Sequence, residues 1–134
     1  MSIFLGLTPS IRVVLENPFL HRTYPLEGMV NAVIDTGYEG FFAVPESVFQ
    51  ELKLNELQGE TRTVELADKR ISKSKGAYAS VRLPHISTKI HGFIETFSGL
   101  DEILVGVEAL SNTRAVLDYC TKRVRIEPCQ RILI

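Results

Sequence analysis

The sequence predicts a single, mostly β domain, and three observations support this fold class. The chain has 134 residues, a length within the usual range of one domain. Hydrophobic residues make up 45% of it and charged residues 23%, which is typical of a chain that buries a core. Short segments in which apolar and polar residues alternate dominate the pattern, as half-buried strands require. We therefore expect one domain over residues 1–134, built mainly of strands.

The first clear alternation places Ile11, Val13 and Leu15 on one face of a strand and Arg12 on the other. The same period of two, bounded by turn residues, predicts further strands. These are residues 26–34, 64–67, 77–83, 89–97, 114–118 and 123–127. The polar run at residues 69–76 is expected to be the solvated, mobile end of the hairpin that joins the segments 64–67 and 77–83.

Two short helices are expected to interrupt the strands. Pro45 suits the first position of a helix, and apolar residues recur after it at helical spacing from Val48 to Leu54. The segment 107–111 follows Gly106 and contains no helix breaker. A helix of that length needs tertiary packing to persist.

Composition and charge exclude several classes of function. Lys plus Arg number 15 and Asp plus Glu 16, so the charge gives no attraction to nucleic acid or to an acidic membrane. No apolar run reaches the roughly 20 residues that span a bilayer, and the first residues lack the basic segment of a secretory signal, so we expect a cytoplasmic protein. Cys120 and Cys129 match neither a metal motif nor a disulfide framework. We expect both to be reduced and partly buried.

Asp35 is the candidate for chemistry. It is one of four aspartates, and it alone stands between an apolar strand and the turn residues Thr36 and Gly37. A carboxylate in that place is partly desolvated, Gly37 allows close backbone approach, and the Thr36 hydroxyl can donate and accept a hydrogen bond. Asp-Thr-Gly is also a common turn at the end of a strand, so the motif alone leaves a purely structural role open.

The surrounding residues carry a family resemblance. The segment 32–45, Ala-Val-Ile-Asp-Thr-Gly-Tyr-Glu-Gly-Phe-Phe-Ala-Val-Pro, resembles the active-site segment of retropepsin-like aspartic proteases, above all their small single-domain members in bacteria and archaea. Farther along, Ile-Leu-Val-Gly at 103–106 resembles the strand that crosses the active-site loop in that family, before its short helix. The segments 118–119 and 123–127 resemble its closing strands. Together the resemblance covers residues 26–127.

This resemblance implies a closed β barrel with one or two short helices and a flap hairpin. It implies that Asp35 is catalytic, that Thr36 hydrogen-bonds across a dimer axis, and that Gly37 brings its backbone close to the site. The chain has one such motif, so a homodimer would supply the second acid. Two adjacent carboxylates would share one proton and activate water. No metal or organic cofactor is implied.

The flap is expected within residues 64–81, with its tip at residues 67–70, which departs from the glycine-rich flap of the viral enzymes. Residues that would contact a peptide or protein substrate are Tyr38, Ala67, Asp68, Lys69 and Val105.

The leading hypothesis is therefore a homodimeric aspartic endopeptidase, which would be a hydrolase. Its alternatives are a catalytically silent dimeric peptide-binding or regulatory module of the same fold and an unrelated β domain with a chance Asp-Thr-Gly. A zinc site of His85, His91 and Glu95 lacks a supporting motif. Phe41 and Phe42 are expected in the core or an interface rather than at a substrate.

Overall fold

A computed structural model describes residues 3–65 and 69–129 of the chain, and the protein is mostly β, as predicted. The strands are β1 (Ile3–Leu5), β2 (Thr8–Asn17), β3 (Arg22–Tyr24), β4 (Val30–Ile34), β5 (Phe42–Ala43), β6 (Glu60–Glu65), β7 (Ile71–Leu83), β8 (Thr88–Phe97), β9 (Leu104–Val105), β10 (Thr113–Asp118) and β11 (Arg123–Pro128). The described helices are α1 (Glu46–Glu51) and α2 (Val107–Leu110), with single 3-10 turns at Leu54–Glu56 and Pro84–Ile86.

The strands form one sheet in the order β10-β11-β1-β2-β4-β9-β5-β8-β7-β6, with β3 beside β2. Most neighbours are antiparallel, whereas β4 runs parallel to β9 and β5 parallel to β8. A further antiparallel pairing joins β2 to β7. Each of the strands β2, β4, β9, β5, β8 and β7 is therefore paired with the next, and the last is paired with the first.

Buried residues of these strands form most of the hydrophobic core. Val13 and Leu15 are fully buried while Arg12 is exposed, which confirms the alternation expected for β2. Helix α1 adds Val48 and Phe49 to the same cluster. Burying one such side chain contributes about 1.5–3 kcal/mol, so the inward residues of β2 and α1 fix where each element packs.

The hairpin of β6 and β7 is longer than expected. Residues 71–76 are part of β7, and their backbone pairs with β6 on one side and, from Ser74 onward, with β8 on the other. The prediction of a solvated hairpin end is therefore wrong for Ser74 and Gly76, which are buried, whereas Ile71, Lys73 and Lys75 are exposed. Lys73 and Lys75 point outward while Ser74 and Gly76 are buried, so the alternation is present but its inward side is small and polar rather than apolar.

Two other boundaries differ from expectation. The strand predicted at residues 26–34 is limited to Val30–Ile34, because Gly28 has a φ of +73°, which an extended strand cannot contain. Pro45 precedes helix α1 instead of starting it. The helix ends at Glu51 and Lys53 is left-handed with φ +56°, so Leu54 lies in a separate 3-10 turn.

The two thiols are exposed rather than partly buried. The reason for Cys120 is its place in the turn between β10 and β11, where its backbone N–H donates to Asp118 Oδ1 at 3.0 Å. Among the described residues, no helix has the length and apolar character needed to cross a bilayer.

Candidate active site

Asp35 lies directly after β4, where the backbone holds it against β9. Its N–H donates to the carbonyl oxygen of Val105 at 3.0 Å, and two residues earlier the N–H of Val33 donates to Ile103 at 2.8 Å. The parallel pair β4 and β9 continues this register. The structure therefore places the two segments that carried the family resemblance side by side.

The carboxylate is oriented by its own loop. Its Oδ1 accepts a hydrogen bond from the backbone N–H of Gly37 at 2.9 Å, and the Asp35 carbonyl accepts one from the N–H of Tyr38 at 3.1 Å. The Asp35 side chain is half-buried, while Thr36 and Gly37 are exposed. The loop thus presents an acid at the surface in a fixed turn.

Gly106 allows the loop after Asp35 to cross the start of α2. The N–H of Gly106 donates to the Phe41 carbonyl at 2.8 Å, and the N–H of Val107 donates to the Tyr38 carbonyl at 2.9 Å. A Cβ at Gly106 would stand 1.9 Å from the Gly40 carbonyl oxygen. Only glycine fits at this crossing, which explains physically why the segment 103–106 ends in glycine.

Tyr38 turns inward and binds a buried carboxylate. Its side chain is 8% exposed, and its hydroxyl donates to Glu95 Oε2. Burial raises the pKa of Tyr38 above its usual value, and the hydrogen bond to Glu95 and the charge of that carboxylate raise it further. The hydroxyl therefore stays protonated and acts as a donor.

Glu95 is the functional candidate that the sequence did not reveal. It was considered there only as a possible zinc ligand. It lies in β8 beside Ala43 of β5 and Gly76 of β7, and it is 4% exposed. Its Oε1 has no hydrogen-bond partner among the described residues. The available signal was a charged residue inside the apolar run Phe93-Ile94-Glu95, a position where an acid is rarely buried without a partner.

A cavity of about 410 Å³ adjoins the Asp35 turn. One wall is the loop 37–40, another is residues 62–65 of β6, and Glu95 and Glu108 complete it. The β6–β7 hairpin thus faces the acid loop across an open space. The size is that of a ligand site, about 300–1,000 Å³.

The structure distributes the expected substrate contacts unevenly. Tyr38 lines the cavity, whereas Val105 is 2% exposed and belongs to the core, so its contribution is the carbonyl that holds Asp35. Lys69 is exposed, with φ +66°, and does not line the cavity. Ala67 and Asp68 lie outside the described residues.

The structure also describes the residues considered for other roles, the two phenylalanines and the zinc-site candidates. Phe41 and Phe42 are both buried and touch edge to face, with ring centroids 5.1 Å apart, as expected for core residues. His91 lies 2.8 Å from the Ser80 hydroxyl through Nδ1. Within residues 3–65 and 69–129, no three His, Cys, Asp or Glu side chains gather as a metal site would require.

Comparison with known proteins finds an archaeal relative of similar length. The chain is 45% identical over 127 residues to an uncharacterized protein of Archaeoglobus fulgidus, and the alignment covers 95% of this chain and 99% of that protein. No protein-family profile matches the sequence. Identity of this extent over almost the whole of both chains indicates a shared fold.

Proposed function

This chain belongs to one family with its Archaeoglobus fulgidus relative, and we propose that it is an aspartic endopeptidase that acts as a homodimer. Asp35 of each subunit would give one carboxylate to a shared pair. The observation that carries the proposal is the clamped Asp35 turn beside a cavity whose opposite wall is a β-hairpin. An acid, a fixed loop and a covering hairpin are the parts that such an enzyme needs.

The proposed fold is a closed β barrel of the retropepsin-like kind. Its support is the ring of pairings from β2 through β4, β9, β5, β8 and β7 back to β2. The close crossing of Gly106 over Gly40 supports it independently. In this proposed fold the β6–β7 hairpin is the flap.

The proposed dimer follows from the count of acids and from exposure. The chain supplies one Asp-Thr-Gly, and a two-fold axis brings the same residue of each subunit together. Thr36 and Gly37 are exposed next to Asp35, so a partner can approach the turn. The Thr36 hydroxyl is suited to hydrogen-bond across that axis.

The proposed chemistry is general acid–base catalysis. Two carboxylates in contact cannot both ionise easily, so the pair retains one proton over its working pH range. The ionised acid takes a proton from water as the water attacks the scissile carbonyl, and the protonated acid donates its proton to the carbonyl oxygen, which gives a tetrahedral intermediate. The acid that took the water proton then gives it to the amide nitrogen as the C–N bond breaks, and the other acid takes a proton from a hydroxyl of the intermediate, which restores the singly protonated pair. The N–H of Gly37 donates to Asp35 Oδ1 at 2.9 Å and fixes the orientation of that carboxylate.

The proposed substrate is an extended peptide. Strand β6 is the last in the sheet order, so one of its edges carries unpaired backbone groups that can bind a peptide as an added strand. That edge belongs to the hairpin that walls the cavity. Backbone pairing would hold the peptide and the cavity would select among its side chains.

A second candidate is a catalytically silent dimeric module that binds peptides without cleaving them. The presence of Lys69 and Arg70 at the hairpin, where the viral enzymes have glycines, favours it. The deciding experiment is incubation of the purified protein and its Asp35→Asn variant with a peptide library. Cleavage by the unaltered chain alone supports the enzyme, whereas binding without cleavage supports the module.

A further inference from the structure

The cavity beside Asp35 is strongly acidic among its described residues. Four carboxylates line it, those of Glu39, Glu65, Glu95 and Glu108. Arg62 is the cation in the same lining. A concave site with an excess of one charge attracts ligands of the opposite charge.

Glu95 differs from the other three carboxylates because it is buried. Glu39, Glu65 and Glu108 are exposed, so water screens their charges. Glu95 is 4% exposed, its Oε2 accepts from the Tyr38 hydroxyl, and its Oε1 has no partner among the described residues. A buried carboxylate oxygen without a donor is costly, and a ligand that supplies a donor would remove that cost.

Arg62 does not supply this donor. Its guanidinium lies 3.7 Å from the centroid of the Phe93 ring, and its Nη2 is 3.4 Å from Glu60 Oε2. The arginine is thus held by a neighbouring strand residue and an aromatic face. Glu95 Oε1 therefore stays buried and without a donor among the described residues.

We propose that this cavity binds a basic side chain of the substrate, lysine or arginine, and that Glu95 Oε1 accepts its hydrogen bond. The inference rests on the proposed peptidase or peptide-binding function and specifies its substrate. Tyr38 is the positioning residue, because its hydroxyl holds the other oxygen of the carboxylate. A charged partner strengthens such a bond in a buried place, so Glu95 sets the preference and the exposed carboxylates attract the basic group.

The test compares two peptides that differ at one position, one with lysine and one with norleucine, which has nearly the same shape without the charge. Each position on both sides of the cleaved bond is tested in turn with the unaltered protein. We expect a preference for lysine of roughly 30-fold or more in kcat/KM at one position, since truncating a buried charge pair has effects of that size. Equal cleavage of lysine and norleucine peptides at every position would overturn the proposal without any variant.

Two variants then assign the preference. Glu95→Gln keeps the shape and an acceptor for Tyr38 but removes the charge. We expect it to abolish the preference for lysine, so that lysine and norleucine peptides are cleaved at about equal rates. Glu65→Gln removes the same charge from the exposed rim and should change that ratio less than about fivefold. Circular dichroism checks that both fold. A folded Glu95→Gln variant that keeps the full lysine preference would contradict the assignment.

The two proposals can fail separately. If no peptide is cleaved, the enzyme proposal fails, and the same lysine and norleucine peptides are then tested for binding by calorimetry. Tighter binding of lysine that Glu95→Gln removes would uphold the cavity's preference in a non-catalytic protein. Equal binding of the two peptides would overturn it.

Discussion

The backbone N–H of Asp35 donates to the carbonyl oxygen of Val105 at 3.0 Å, which ties the acid to a strand far along the chain. The neighbouring residue Gly106 lies so close to Gly40 that no Cβ can be placed there. The position of the carboxylate thus depends on Val105 and Gly106, which are both buried. Substitutions at this crossing should affect stability and activity together.

Gly106→Ala tests the crossing. A Cβ would stand 1.9 Å from the Gly40 carbonyl oxygen, and a backbone atom cannot move aside as a flexible side chain can. We expect a loss of about 3 kcal/mol in the free energy of unfolding, measured by urea denaturation. Val107→Ala is the control, because its side chain is 42% exposed and should cost less than about 1 kcal/mol. Similar unfolding midpoints for the two variants would show that the crossing tolerates a Cβ at position 106.

Asp35→Asn should preserve the fold and abolish peptide cleavage. Asparagine keeps the shape and its side-chain oxygen can still accept from the Gly37 N–H, now 2.9 Å from Oδ1, but it cannot take or give the proton. We expect a fall of roughly 1,000-fold or more in kcat. Asp101→Asn makes the same substitution at an exposed position and should leave the rate unchanged. Equal rates for Asp35→Asn and the unaltered chain would remove Asp35 from the mechanism.

Inhibitor classes separate an acid pair from other hydrolases. A peptide analogue with a hydroxyl in place of the scissile carbonyl mimics the tetrahedral intermediate and should inhibit strongly. Chelators and serine-directed reagents should leave the initial rate unchanged. The assay is peptide cleavage with and without each reagent. Loss of activity in EDTA that zinc restores would contradict the acid pair and favour a zinc site that includes His85 and His91.

The Glu16 ion pairs should make stability depend on pH. Arg82 Nη2 lies 2.5 Å and Lys89 Nζ 3.2 Å from the Glu16 carboxylate, whose side chain is 15% exposed. The hydrogen bond from Arg82 is the main cause that lowers the pKa of Glu16 below 4.5, against the opposing effect of burial. Because the pKa is lower in the folded state, this stabilisation is present above about pH 4.5 and is lost as the pH falls through the folded value.

Glu16→Gln should therefore reduce the free energy of unfolding by about 1 kcal/mol at pH 7, and by less at pH 3. Urea denaturation at both pH values measures the difference. Glu127→Gln is the matched control, since the Arg125–Glu127 pair is exposed on both sides. A Glu16→Gln effect of the same size at pH 3 and pH 7 would contradict the assignment to charge.

Sequence pattern predicted the strands whose inward residues are apolar. Strand β2 shows this, with buried Val13 and Leu15 alternating with exposed Arg12. The same pattern did not predict that residues 71–76 belong to a strand. Ser74 and Gly76 take the inward positions there, and their burial depends on pairing with β6 and β8. Local polarity does not reveal pairing on both edges of a strand.

The candidate site could also be predicted only in part. The Asp35 turn and the segment ending in Gly106 were predictable, because each is a short local pattern: an acid and a turn after an apolar strand, and apolar residues before a glycine. The partnership of Tyr38 with Glu95 was not, because it depends on β8 lying beside β5, a contact between distant parts of the chain. The roles of Ala67 and Asp68 at the hairpin stay predictions.

Mixed dimers test the shared acid pair most directly. Unaltered and Asp35→Asn chains are unfolded together in equal amounts and refolded, and mass spectrometry confirms that subunits have exchanged. Random pairing leaves roughly one quarter of the dimers with two aspartates and about half with one. A dimer with one carboxylate facing an amide cannot pass the shared proton, so active-site titration should give nearly one quarter of the activity of the unaltered sample. Activity equal to one half, in proportion to the unaltered chains, or an active monomer would contradict the shared pair.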